Sequence, residues 1–144
     1  MKRYVMGFCF SPDLKKVAMV KKNRPRWQAG LWNGIGGHVE EDECAEAAMV
    51  REFEEETSVH EDSQGKWHLV STIGNDDYQI EVFASASECV WDVTTVTDEN
   101  IVRWDVVSLL QSTELTVYNV PWLMLMARER LQGRNQAYYY RIQH

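Results

Sequence analysis

No glycine or proline interrupts residues 44–57 (CAEAAMVREFEEET), and at about 100° per residue this segment sorts into two adjoining arcs of a helix. Met49, Val50 and Phe53 occupy one arc, while Glu52, Glu55 and Glu56, at i, i+3 and i+4, occupy the next. Such a helix packs by one side and presents carboxylates on the side beside it. Asp42 or Glu43 can open it, and the turn-prone residues near Ser58 end it. Three like charges on one helix face repel each other, at roughly a few tenths of a kcal/mol for each i, i+4 clash, so the arrangement needs a compensating cation. Mg²⁺ takes oxygen ligands octahedrally and leaves room for water and phosphate, which suits carboxylates one turn apart. Arg51, four residues before Glu55, can hold a carboxylate in place.

The net charge of -7 is concentrated rather than spread. Residues 40–62 hold 11 of the 22 acids and a single base, Arg51, so the stretch carries -10 and the remaining 121 residues +3. Lys21, Lys22, Arg24 and Arg26 fall just ahead of it. An acidic knot beside a basic loop meets the needs of a metal-plus-polyphosphate site; a solvated acidic helix next to a solvated basic loop has the same composition. The acidic balance argues against gripping long nucleic acid but not against a small phosphorylated ligand. Cys9, Cys44 and Cys89 are odd in number and form no C-x-x-C pair, so neither a disulfide framework nor a cysteine zinc site is expected, and a reducing cytoplasm is. No apolar run approaches the roughly 18–20 residues of a membrane span, and there is no signal-peptide pattern. A chain of 144 residues, 44% hydrophobic, fits one domain over 1–144.

Strand-like runs cover residues 3–10, 16–20, a short piece of 31–35, 67–73, 78–84 and 101–107, with a hairpin signal at Gly74-Asn75-Asp76-Asp77. Asn119 and Pro121 read as the start of a second helix that runs through Leu131 to Gly133, with Leu123, Met124, Leu125 and Met126 as its core and Trp122 as a core or sheet-edge aromatic. Residues 137–142 read either as a last short strand or as an ordered tail. The expected class is α/β or α+β, a mixed sheet sandwiched between helices.

Residues 37–59 (GHVEEDECAEAAMVREFEEETSV) resemble the signature of the Nudix hydrolases, in the positions of Gly37, Glu43, Arg51, Glu52, Phe53, Glu55, Glu56 and Val59. The one departure is Ser58, where the family usually has glycine. The resemblance implies the Nudix fold with a catalytic loop-helix-loop, and Mg²⁺ or Mn²⁺ held by the Gly36 carbonyl and the side chains of Glu52, Glu55 and Glu56. It also implies that Arg51 and Glu43 brace the loop against the helix. Glu99, in Thr97-Asp98-Glu99, resembles a distal acidic ligand and equally reads as a loop acid capping a turn. Either Glu55 or Glu99 is the expected base.

The stretch from Trp27 to Gly37 is similar to that of MutT-type, oxidised-purine nucleoside triphosphate hydrolases. That likeness implies a nucleotide substrate, with Trp27 beside the base and Asn33 hydrogen-bonded to it. As bare residues, Trp27 also reads as a loop tryptophan over the core and Asn33 as a turn former. Lys22, Gly37 and His38 are candidates to meet phosphate, and Tyr118 to meet the base; Asn119 reads as either a recognition residue or a helix cap. The implied reaction is hydrolysis of a nucleoside triphosphate to monophosphate and pyrophosphate. The alternatives are a dinucleoside-polyphosphate or nucleotide-sugar hydrolase, or a nucleotide-binding sensor without turnover. No coiled-coil or partner motif speaks to oligomeric state.

Overall fold

A computed structural model describes residues 1–60, 67–133 and 138–141. In chain order its elements are β1 (Lys2–Phe10), β2 (Lys16–Lys21), β3 (Trp32–Asn33), β4 (Ile35–His38), α1 (Ala45–Thr57), β5 (His68–Gly74), β6 (Tyr78–Ala86), β7 (Ile101–Asp105), α2 (Val106–Leu110), α3 (Val120–Leu131) and β8 (Tyr138–Arg141). Short 3₁₀ turns lie at Arg26–Gln28, Glu88–Asp92 and Thr113–Leu115. Glu61 and Asp62 of the acidic stretch, and Ala137 and Ile142 at the ends of the expected last strand, lie outside the described residues.

Alternation along β1 explains the two-sided core. Met6, Phe8 and Phe10 enter one apolar cluster with α2 and α3 residues such as Leu109, Leu123, Met124 and Ala127. Val5 and Cys9 enter the other, with Ala45, Ala48, Met49 and Phe53 of α1. A sheet covered on both faces follows, and this is the mixed α+β arrangement expected. Close packing of α1 requires Gly7: a Cβ there would stand 2.7 Å from the Met49 sulfur.

The site is positioned by a divergence of strands. β1 runs parallel to β6 along its length but pairs with β2 only at Cys9↔Ala18 and Phe10↔Val17. Past that point the two separate, and the wedge is filled by β3 on β2 and β4 on β1. The single short strand expected near 31–35 is therefore two, because the backbone changes partner at Gly34. A Cβ there would meet Met6 at 2.7 Å and the Gly7 carbonyl oxygen at 3.1 Å.

Other boundaries also move for local reasons. α1 is capped by Cys44, whose sulfur accepts the Ala47 N–H at 3.4 Å, rather than by Asp42 or Glu43; Asp42 has a positive φ of 67° and belongs to the preceding turn. The strand expected over 101–107 ends at Asp105, whose carboxylate accepts the Ser108 N–H at 3.0 Å and opens α2, a helix not anticipated. In the β5–β6 turn the Asn75 side-chain oxygen accepts the Asp77 and Tyr78 N–H groups at 2.8 and 3.2 Å. β8 pairs parallel with β5, so the described part of the last segment is a strand. On α3, Leu123 and Met124 are buried as expected, whereas Trp122 and Leu125 face solvent. Among the described residues no helix is long and apolar enough to cross a membrane.

Candidate active site

β4 delivers Gly36 and Gly37 directly beneath the carboxylate face of α1. Gly37 lies so close that an added Cβ would stand 2.5 Å from both carboxylate oxygens of Glu52. The loop between β4 and α1 is tied back by Arg51. Its guanidinium donates to both Glu43 oxygens at 2.8 and 2.9 Å, a bidentate pair, and to the His38 carbonyl at 2.9 Å. Its remaining edge donates to Glu52 at 3.0 Å and to Glu55 at 3.3 Å. One cation thus joins the loop to the helix and hydrogen-bonds to three of the acids, with Glu40 a fourth at 4.0 Å; the Arg51 bonds hold the Glu43 carboxyl down at about 2.

Glu56 and Glu99 lie beyond its reach. Glu99 is 4% exposed, and its carboxylate accepts the Asn23 N–H at 2.6 Å and the Lys22 ammonium at 3.2 Å. Thr97 donates its hydroxyl to Glu56 at 3.4 Å, and the same hydroxyl accepts the Glu99 N–H at 3.1 Å. Burial raises the carboxyl pKa of Glu56, and the Glu99 charge raises it further while Lys22 opposes the change. Burial also raises that of Glu52, against the pull of Arg51. Half-desolvated carboxylates that are only partly neutralised by the chain's own cations suit a hard divalent ion. Among the described residues, however, no group of three acidic, histidine or cysteine side chains is placed to hold an ion as it stands. Glu52, Glu56, Glu99, Gly36, Gly37, His38 and Lys22 line one cleft of about 420 Å³, whereas Glu55 does not line it; its side chain is 57% exposed and turned to Arg51.

A second pocket of about 290 Å³ adjoins this cleft and shares Tyr4, Met6, Pro25, Gln28, Asn33 and Ile80 with it. Trp27 and Tyr118 stand at its rim, 60% and 66% exposed, with ring centroids 6.2 Å apart. Asn33 is held on both sides: its oxygen accepts the Gly34 N–H at 2.8 Å, and its amide donates to Gln28 at 3.3 Å. Asn119 does not cap α3 through its side chain. It lines the pocket instead, with a buried side-chain oxygen that has no hydrogen-bond partner among the described residues. The His38 ring lies against Tyr4, centroids 4.5 Å apart. Tyr4, Ile80 and Gln28 were not anticipated: two belong to strands that read as core, and a lone glutamine in a loop carries no sequence signal.

After α1, Ser58 adopts the left-handed conformation (φ 67°, ψ 14°) and donates its N–H to the Glu54 carbonyl at 2.8 Å. The serine therefore keeps the turn that glycine would make, at a conformational cost of about 1 kcal/mol.

A mixed sheet between helices, with a glycine strand feeding an acidic helix that is braced by its own arginine, defines a loop-helix-loop domain. The chain belongs to the Nudix family: the NUDIX domain model matches residues 1–126. No curated protein matches the chain. Among solved structures it is similar to Shewanella oneidensis NrtR, with a TM-score of 0.71 and 20% identity over 93% of this chain and 65% of that one. A MutT structure from work on Aliivibrio salmonicida and Vibrio cholerae gives a TM-score of 0.66 and 22% identity over 89% and 98% of the two chains. An ADP-ribose pyrophosphatase from Streptococcus suis gives 0.67 and 15% identity over 96% and 98%. At these identities the likeness concerns the fold.

Proposed function

We propose that this Nudix domain, taken as residues 1–144, hydrolyses a nucleoside triphosphate to the monophosphate and pyrophosphate with Mg²⁺ or Mn²⁺, and that it favours a purine oxidised at C8. The observation that carries this reading is the pair of adjoining pockets: one acidic with a lysine, one apolar with aromatic rims and two asparagines. Together they suit a ligand with a polyphosphate at one end and a base at the other. The Gly36 carbonyl, Glu52, Glu56 and Glu99 would hold the ion, with Glu55 joining once released from Arg51. A bound divalent ion supplies charge neutralisation for the phosphates and a more acidic water. Either Glu55 or Glu99 would take the proton of the attacking water, while Lys22 and His38 meet phosphate and Gly37 lets the substrate approach the helix closely.

Trp27 and Tyr118 offer faces for stacking. The unpartnered Asn119 oxygen is an acceptor, and oxidation at C8 turns N7 of a purine from an acceptor into an N–H donor. If N7 faces this buried acceptor, the oxidised base gives it a partner that the same edge position of an unmodified purine does not.

The test is a panel of 8-oxo-dGTP, dGTP, dATP, dCTP, ADP-ribose, a dinucleoside polyphosphate and a nucleotide sugar, with products identified by chromatography. Pyrophosphate release, fastest from 8-oxo-dGTP, is expected. Turnover confined to ADP-ribose or the other diphosphate-linked compounds would overturn the triphosphate reading, and tight binding without turnover would make the domain a sensor.

A further inference from the structure

We propose that Cys9 and Cys89 form a dithiol that a peroxide converts to an intramolecular disulfide. Their sulfurs lie 3.8 Å apart although the residues are separated by 80 positions. A disulfide needs about 2.05 Å, so closure asks for less than about 2 Å of movement shared by two side chains. Cys9 is fixed in the central strand β1 and fully buried. Cys89 is partly exposed in the Glu88–Asp92 turn, which is pinned beside the end of β1 by the Ser87 N–H donating to the Phe10 carbonyl at 2.9 Å. The turn lies outside the sheet, so the small shift falls on Cys89 and leaves the β1–β6 ladder intact.

The difference in exposure orders the chemistry. The Cys89 thiolate attacks a peroxide oxygen and breaks the O–O bond; it becomes a sulfenic acid, and one water leaves after proton uptake. The Cys9 sulfur then attacks the Cys89 sulfur, the S–S bond forms, and the sulfenic hydroxyl leaves with the Cys9 proton as a second water. Two thiols lose two electrons and one peroxide gains them. Cys44, exposed at the start of α1, provides the internal comparison.

The experiment treats Cys44→Ser protein with hydrogen peroxide and reads intact mass, followed by peptide mapping without reduction; the same mapping on the unaltered chain guards against an effect of the substitution. The expected result is a monomer lighter by two hydrogen atoms, a cross-linked pair of peptides containing Cys9 and Cys89, and a Tm raised by about 5 °C or more that reverts with a reducing agent. Cys89→Ser protein should show neither the cross-link nor the Tm change. The proposal is overturned by oxygen added to Cys89 without a cross-link, by a covalent dimer, or by both thiols remaining titratable after denaturation.

Discussion

Gly36 and Gly37 are neighbours in β4, yet adding one methyl group to each should damage different properties. At Gly37 the new Cβ would fall against the Glu52 Cδ and stand 2.5 Å from both its oxygens, against an ordinary contact of about 3.5 Å, so the carboxylate must retreat by about 1 Å. It is the end of a flexible side chain, and moving it disturbs only the 3.0 Å bond from Arg51. The expected stability change is within about 1 kcal/mol, helped by the lower chain entropy of alanine. A displacement near 1 Å at a group that positions the reaction lowers kcat by about 10²-fold, or about 2.7 kcal/mol. At Gly36 the new Cβ would fall on the Val5 carbonyl oxygen and lie 2.8 Å from the Met6 Cα. Backbone in a central strand cannot retreat without breaking the pairing that runs from Tyr4↔His38 to Gly7↔Ile35, so a loss of about 3 kcal/mol or more in stability is expected. Thermal melts and nucleotide hydrolysis on the two variants separate the outcomes. Wild-type kcat in Gly37→Ala protein would remove Glu52 from the reaction, and a wild-type Tm in Gly36→Ala protein would refute the close β4–β1 approach.

Ser58→Gly should stabilise the fold by about 1 kcal/mol by relieving the left-handed serine, seen as a Tm rise of about 2–4 °C; a fall would show that the serine side chain contributes something the backbone angles do not reveal. Glu43 is held at about 2 by Arg51, so its contribution to stability is complete above the ordinary carboxyl range near 4.3 and drains away as pH falls through 2. Glu43→Gln protein, unfolded by denaturant at a series of pH values, should lose part of that acid dependence, and an unchanged profile would contradict the brace. Gln28→Ala releases the Asn33 amide and should raise KM by about 10-fold with kcat nearly unchanged; a fall in kcat alone would place Gln28 in the chemistry instead.

The parts of this protein that were legible in the sequence are those in which spacing along one element carries the information. The arcs of α1 separate Met49 and Phe53, which are buried, from Glu52 and Glu56, which line the cleft. The Arg51–Glu43 brace was legible only through the resemblance to the family, and the pair is hydrogen-bonded. The second pocket was only partly visible: Trp27, Asn33 and Tyr118 were expected at it and Asn119 as one of two readings, while Tyr4 and Ile80 come from strands that gave no such signal. Tyr4 and Ile80 meet because β1 and β6 pair in parallel at those very positions, a register that no local pattern encodes. Similarly, Asp105 ends a strand and starts a helix by one hydrogen bond, and the β-branched pairs on either side of it, Ile101-Val102 and Val106-Val107, hide that switch.

The concentration of acid around α1 raises the question of how the fold tolerates it, and the answer lies in which cation serves which group. Arg51 takes Glu43, Glu52 and Glu55, and Lys22 takes Glu99; Glu56 receives only a hydroxyl from Thr97 and stays half-buried. Each internal cation thus holds its carboxylates in place, and among the described residues no three acids are placed to hold an ion as they stand. A divalent ion bound among these acids would compete with Lys22 and Arg51 for their partners, and its binding would draw on the repulsion left uncompensated at Glu56. Mg²⁺ should raise the Tm of the wild-type protein and do so less in Glu56→Gln protein; an equal shift in both would mean that the ion sits elsewhere.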